Sequence, residues 1–405
     1  MTLIECFDRT ILENIAGTLY LQPDRLIIIG EKKKTRMLPQ LFTDLLEKRG
    51  IRTRILLCDT AGMTIIQIAE ALAKIVENEE QCVIDLTGGE EPVIMAVGAM
   101  MAGLADTSKL SIQKFDLINA CAADCDCDGQ VACGRYMALT VEELIALHGG
   151  KVHPASYQPP KHYSVKDIEK LWEIVSGSPR QWNDWIGVLS EFEKRSESKE
   201  YPEIPRSKLR AELRSFDRKA QTFEALIEQF DRNGIIHDQS DSTTIRYRYS
   251  SDLYRYCTKK AGNVLELKVF LEARALEEKG KPYFDDCLTG VTIDWDGVIQ
   301  DKTDNIPDTR NEVDLVLTRG LCSLFISCKN GYIDEAELYK LNTVAQRFGG
   351  PYARKMLIAT DLDQKTPSST RAFIQRARDM NIILVTDAAE LESQEWKDLF
   401  RTAMR

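Results

Sequence analysis

Histidine is scarce in this chain, with four in 405 residues (His148, His153, His162 and His237), and none is spaced like a metal-binding pair. That points away from histidine-driven catalysis. A cationic excess is missing as well. Lys and Arg number 53 against 63 Asp and Glu, a net charge of −10, so attraction to nucleic acid over the whole surface is excluded and any such contact must come from local patches. No run of 18 apolar residues occurs, and the start Met1-Thr2-Leu3-Ile4-Glu5-Cys6-Phe7-Asp8 has neither a charged leader nor a cleavage site. The expectation is a cytoplasmic protein with no membrane span. Gly-x-x-x-x-Gly-Lys and Gly-x-Gly-x-x-Gly are both absent, which leaves ATP hydrolysis and NAD binding without support. Eleven cysteines, an odd number placed mostly in apolar strands, fit a reducing compartment rather than a disulfide framework.

What is present is length enough for two or three domains and a clear alternation of apolar patterns. Over 1–150, strands are expected at 3–6, 25–29, 54–58 and 82–86, helices at 10–19, 37–49, 64–76 and 92–104, and a strand pair near 112–119 and 131–139. This predicts an α/β fold, a Rossmann-like parallel sheet covered by helices on both faces. In such sheets ligands bind beyond the carboxyl ends of the strands, beside helix N-termini. Asp8-Arg9-Thr10 follows the first strand, Gly30 closes the second, and Thr87-Gly88-Gly89-Glu90 follows the fourth. Thr-Gly-Gly just ahead of Pro92 offers backbone N–H groups and a hydroxyl to an anion, and the glycines let a phosphate approach closely. The same triplet also serves as a plain strand-to-helix turn. Cys121, Cys125, Cys127 and Cys133 match no zinc-knuckle spacing and are interleaved with Asp124, Asp126 and Asp128, so an acidic loop with free thiols is expected.

A second stretch, 311–329, reads as two strands joined by a tight Thr318-Arg319-Gly320 turn. By alternation Val313, Leu315 and Leu317 point one way and Glu312 and Asp314 the other. On the next strand Leu324, Ile326 and Cys328 oppose Phe325, Ser327 and Lys329. Asp314 and Lys329 are therefore expected in one polar cluster. Mg2+ or Mn2+ could sit there, since hard cations take carboxylate and carbonyl oxygens, while the Lys orients a water or offsets developing charge. A solvated charged face is the competing reading. A helix follows over 334–348. At about 100° per residue its buried stripe is Leu338, Leu341, Ala345 and Phe348, and Glu337 lies about 60° from it against about 100° for Glu335.

An acidic residue on one strand and x-x-Lys on the next resembles the PD-(D/E)xK nuclease core. The departure is Ser327-Cys328-Lys329, with Ser where an acidic residue usually opens the triplet. Some restriction endonucleases of that superfamily also carry Ser-x-Lys and draw the missing carboxylate from the following helix. The resemblance thus implies Glu266, Asp314, Lys329 and Glu337 as catalytic residues. It implies Glu266, Glu312, Asp314, Cys328 and Glu337 as metal-site residues, with Glu266 on an upstream helix over 261–276. Pro307-Asp308, in a polar loop, is read as a decoy. Strands at 290–296, 355–359 and 382–385 and a helix at 368–379 complete the order expected of that core.

The segments around Asp8-Arg9-Thr10 with Glu13-Asn14-Ile15, Asp85-Leu86-Thr87-Gly88-Gly89, and 139–149 together resemble the CRISPR-associated Rossmann fold (CARF). With the nuclease-like part, nearly the whole chain is similar to CRISPR ancillary nucleases in which that sensor is fused to a restriction-endonuclease-like domain. The resemblance implies a homodimer that binds cyclic oligoadenylate, most often cyclic tetra-adenylate, at Asp8, Arg9, Thr10, Gly30, Thr87, Gly88, Gly89 and Glu90, and then cuts DNA or RNA with Mn2+ or Mg2+. The expected division is a sensor over 1–150, a connector over 160–255 and a nuclease over 261–405. The connector is helical and carries a local basic cluster (Arg206, Lys208, Arg210, Arg214, Arg218, Lys219); its end, 222–249, looks like the last helix and wing of a winged helix. Two other readings stay open: a ligand-sensing DNA-binding regulator with a degenerate nuclease fold, and an enzyme that degrades the cyclic nucleotide in the sensor.

Overall fold

The computed structural model describes all residues except 119–120, 125–130, 133–136, 155–158, 161–162, 197, 199–200, 209–218, 300–308, 332 and 363–365. The first part of the chain runs β1 (Thr2–Cys6), α1 (Ile11–Leu21), β2 (Arg25–Gly30), α2 (Lys32–Thr35), α3 (Leu38–Lys48), β3 (Arg54–Asp59), α4 (Ile65–Asn78), β4 (Cys82–Asp85) and α5 (Glu91–Gly103). It continues through β5 (Leu110–Asp116), β6 (Cys121–Asp124) and β7 (Val131–Ala132) to α6 (Val141–Leu147) and β8 (Lys151–Val152). The first sheet has the order β3-β2-β1-β4-β5-β6-β7, parallel from β3 to β5 and antiparallel beyond.

Side-chain alternation builds its two cores. Leu3, Leu26, Ile28 and Val83 pack with α1 and α3, while Ile4, Ile27, Ile29 and Ile84 pack with α4 and α5 on the other face. The expected strand pair at 112–119 and 131–139 is three strands instead, because 121–124 folds back antiparallel on β5. The side chains of the Cys121–Cys133 cluster lie outside the described residues.

The middle of the chain forms α7 (Val165–Gly177), α8 (Pro179–Arg195), β9 (Glu203–Pro205), α9 (Lys219–Arg232), β10 (Ile236–Asp238), β11 (Thr244–Tyr249) and α10 (Asp252–Cys257). Strands β10 and β11 form the expected hairpin after a helix, and β9 adds to its far side. The last part runs α11 (Asn263–Ala275), β12 (Glu277–Glu278), β13 (Lys281–Pro282), β14 (Asp286–Asp294), β15 (Arg310–Arg319), β16 (Cys322–Lys329) and α12 (Glu335–Gly349). A 3-10 turn (Gly350–Tyr352), β17 (Ala353–Ala359), α13 (Pro367–Asp379), β18 (Ile382–Val385) and α14 (Ser393–Ala403) complete it.

The second sheet, β18-β17-β16-β15-β14-β8, is mixed. One face carries Leu315, Leu317, Leu324 and Ile326 in a core shared with α7, α8, α9, α11 and α14; the other carries Val316 and Phe325 against α12 and α13. Strand β8 and helix α6, which directly follow the first sheet, pack onto this second one. The middle segment, α7 to α10, thus shares one apolar core with the sheet that follows it.

Two local expectations are corrected. Val313 packs with Val316 rather than with Leu315 and Leu317. Gly290, opposite Asp314 between the pairs Thr289–Leu315 and Val291–Val313, has φ +60°, and this break in the ladder resets the facing of the strand beyond it. The turn of the hairpin is Gly320-Leu321, since the ladder continues through Thr318–Ser323 and Arg319–Cys322, and Gly320 at φ +59° supplies the left-handed residue that a two-residue turn requires. Leu321 at its tip is buried in the core of the first sheet. Leu139 N donates to Gly320 O at 3.0 Å and the Thr318 hydroxyl to Leu139 O at 2.6 Å, which fixes the hairpin end to the segment between β7 and α6, whose Leu139 is buried in the core of the first sheet. No described helix is long and apolar enough to cross a membrane.

Candidate functional site

The loops at the carboxyl ends of β1 and β4 meet as the alternation pattern implies. Asp8 is held by Asn14, whose Oδ1 accepts from Asp8 N at 2.8 Å and whose Nδ2 donates to the carbonyls of Asp8 and Thr10, both at 2.8 Å. The Asp8 carboxylate accepts from Thr10 N at 2.8 Å and from Gly89 N at 3.3 Å. Burial works to raise its pKa, but these donors outweigh it and hold the carboxyl below the usual range.

Thr87 is not the free donor expected. Its N–H and hydroxyl both reach Asp85 Oδ1, at 2.8 and 2.5 Å, and the hydroxyl accepts from Phe115 N at 2.8 Å. Gly88 leaves no room for a side chain, since a Cβ there would stand 2.6 Å from Asp8 Cβ and 2.7 Å from Glu13 Oε2. Gly89, at φ +132°, needs glycine for its backbone. Gly30 is buried, with space for a Cβ already filled by Phe7 at 2.7 Å, so it serves packing. Arg9 is exposed, and Glu90 is paired to Lys34 at 2.7 Å.

Two groups beneath this loop escaped the sequence reading. Glu5 and Asp85, register partners on adjacent strands, are both fully buried. Burial, the Asp85 charge and the Glu13 charge raise Glu5 well above the carboxylate range, and burial pushes Asp85 up to about 7 against the pull of the Thr87 donors.

In the second sheet, Glu312, Asp314, Ser327, Lys329, Glu337 and Lys340 line one cleft of about 20 Å3, room for a single water-sized occupant. Asp314 Oδ2 accepts from Cys328 N at 2.6 Å and the Ser327 hydroxyl at 3.2 Å. Burial raises the Asp314 carboxyl despite Lys329 and these donors. Lys329 Nζ lies 2.9 Å from Glu337 Oε2. Burial works to lower the ammonium, but Asp314 and then Glu337 outweigh it, and its pKa is raised.

Glu266, half-buried on the first turn of α11, is pushed up to about 8 by burial and then by the charges of Asp314 and Glu312. Glu312 sits at the rim, paired with Lys260 at 3.2 Å. The expected stripe Leu338, Leu341, Ala345 and Phe348 is buried, and Glu335 is exposed on the far side of the helix start from Glu337. The Cys328 thiol lies in the apolar core with Leu324 and Ile326, and burial raises it far beyond the thiolate range; its side chain is no ligand for a hard cation. Pro307-Asp308 lies outside the described residues.

In kind, the donor set suits a hard divalent cation: carboxylate oxygens beside a lysine, with Asp314 and Glu266 both raised, first by burial. Among the described residues, no three ligating side chains converge within reach of one ion.

No protein-family model matches the chain, and no curated protein matches it in sequence. The fold has solved counterparts. Protein VC1899 from Vibrio cholerae superposes with a TM-score of 0.72 at 16% identity, covering 100% of this chain and 97% of the other. Can2 from Sulfobacillus thermosulfidooxidans, solved in complex with cyclic tetra-adenylate, superposes with a TM-score of 0.66 at 16% identity, again covering 100% and 97%. The α/β architecture is thus common to all three from end to end, and at this identity the likeness is one of fold.

Proposed function

We propose that this chain is a cyclic-oligoadenylate-activated, metal-dependent nuclease of CRISPR defence, with a sensor over 1–150, a connector over 160–255 and a nuclease unit over 261–405. The observation that carries the reading is the lining of one cleft by Asp314, Lys329, Glu337 and Glu312, with Glu266 raised by burial and then by the charges of Asp314 and Glu312, in a chain whose whole length superposes on a protein solved with cyclic tetra-adenylate. The sensor site is Asp8, Arg9, Thr10, Thr87, Gly88, Gly89 and Glu90. Its in-chain hydrogen bonds leave one copy with few spare donors, which favours a ring read by two copies across a two-fold axis.

Mn2+ or Mg2+ would be held by Asp314, with Glu266, Glu337 or Glu312 turned toward it, and would polarise the scissile phosphate and lower the pKa of a water. Lys329 supplies positive charge where the phosphate gains negative charge. Asp314, anchored by Cys328 N, fixes the depth of the site.

The test uses purified protein, labelled single- and double-stranded DNA and RNA, and Mn2+, with and without cyclic oligoadenylates. Cleavage that requires both metal and ring supports the reading. Sequence-dependent DNA binding without cleavage would favour the regulator whose nuclease fold is degenerate, a reading kept open by Ser327, which donates to Asp314 where a second carboxylate usually stands. Loss of the ring itself would favour a ring-degrading enzyme.

A further inference from the structure

One contact joins the two ends of the proposed pathway. Tyr352 packs against the core of the first sheet and the core of the second, and its hydroxyl donates to Glu13 Oε1 at 2.6 Å across 339 positions of sequence. The other oxygen of the same carboxylate, Oε2, is the atom that a Cβ on Gly88 would strike at 2.7 Å. One carboxylate therefore touches the anion loop with one oxygen and the second half of the protein with the other.

Tyr352 closes the 3-10 turn that directly follows α12, and the first turn of α12 carries Glu337, 2.9 Å from Lys329. At about 1.5 Å per residue the helix is a rod of roughly 22 Å. The sensor contact is at one end and the partner of the candidate catalytic lysine at the other. Leu338, Leu341, Ala345 and Phe348 are buried along one side, so the helix shifts as a body if it shifts at all.

Charge sets the direction. An anion arriving at Gly88 meets the carboxylates of Glu13 and Asp8, and like charges in a poorly solvated place repel strongly. A phosphate-bearing ligand therefore prefers the state in which Glu13 has swung away, and in that state Tyr352 has lost its acceptor.

We propose that Tyr352 is a positioning residue of the nuclease site, and that the Tyr352–Glu13 hydrogen bond latches the ligand-free state. A cyclic oligoadenylate phosphate at Thr87-Gly88-Gly89 expels the Glu13 carboxylate, frees Tyr352 and lets α12 move, which changes how Glu337 holds Lys329. The proposal rests on the ring-activated nuclease reading above.

The test is Tyr352→Phe, which keeps the ring and its packing and deletes only the hydroxyl. Cleavage with Mn2+ is measured without ring and at saturating cyclic tetra-adenylate, with ring affinity by calorimetry and a thermal melt. Ligand-free cleavage should rise about tenfold with the saturated rate unchanged, and ring affinity should tighten by the same factor, as linkage requires of a lost charge-assisted hydrogen bond. A tyrosine with a purely structural role would lower both rates together. Glu13→Gln keeps an acceptor for Tyr352 without the charge; it should bind the ring at least as tightly as wild type and no longer be stimulated by it. If Tyr352→Phe does not fold, Glu13→Gln decides alone. A Tyr352→Phe protein with wild-type ligand-free rate and affinity, or with weaker ring binding, overturns the latch, as does a Glu13→Gln protein stimulated like wild type. Wild-type protein that neither binds the ring nor cuts would instead sink the functional reading itself.

Discussion

Lys329 Nζ stands 2.9 Å from Glu337 Oε2, the two residues lying on consecutive elements, β16 and α12, and side by side in the cleft. Glu337 lines that cleft with Asp314 and Ser327, while Glu335 is turned to solvent. Glu337→Gln is expected to lower cleavage about a hundredfold or more, and Glu335→Gln less than about twofold, the difference between a group inside a catalytic site and one outside it. Initial rates of the two variants under saturating ring and Mn2+ decide this; the opposite ranking would place the helix in the wrong phase.

Asp314→Asn should reduce cutting at least about a thousandfold, because it removes the charge at the centre of the donor set. It should not cost stability. Burial raises the Asp314 carboxyl, so its ionised form is unfavourable in the fold, and Asn keeps an oxygen to accept from Cys328 N. The expected melting temperature is equal to or above that of wild type, measured without metal. A fall of several degrees would contradict this account of the site.

Glu5 and Asp85 predict a pH dependence of opposite sign to that of salt-bridged carboxylates. Both are raised, Asp85 to about 7. Between the unfolded Asp range and pH 7 the folded chain therefore holds more protons than the unfolded one, and stability falls as pH rises through that window. The slope is at most about 1.4 kcal/mol per pH unit for each such group. Asp85→Asn should flatten the dependence between pH 5 and 8, read from denaturant midpoints at several pH values. A wild-type midpoint that rises over this window would overturn the assignment.

Gly88→Leu should abolish ring binding. Its first side-chain carbon already lies 2.6 Å from Asp8 Cβ, so the loop must deform before any ligand arrives. In wild type, calorimetry should give one ring per two chains, as a two-fold site requires. One ring per chain would exclude the shared site.

Much of this was legible in the sequence. The short apolar runs, with the period-two alternation of 311–329, gave β1 to β4 and β14 to β18 within a few residues, and the 3.6-residue stripe of α12 placed Leu338 and Phe348 inside and singled out Glu337 over Glu335. Those signals are local. The face of Val313 was misread because Gly290, on a neighbouring strand, breaks the ladder opposite Asp314, and nothing in 311–329 records that. The Thr87 donors were read as free because their acceptor, Asp85, looks like an ordinary strand-end acid until its burial is known. Glu13 with Tyr352 was invisible for a plainer reason: residues 339 positions apart leave no periodicity in one another's surroundings.

Leu321 bears on how the protein can be taken apart. It is carried by the second sheet yet only 1% exposed, inside the core of the first. Expressing the N-terminal part alone would leave its socket empty, and expressing the C-terminal part alone would set a leucine in water, at a cost of about 1.5–3 kcal/mol for that side chain. The two parts should therefore melt in one transition rather than two. A first sheet borrowed from another protein would have to bring a matching socket for this leucine before it could be grafted onto this second one.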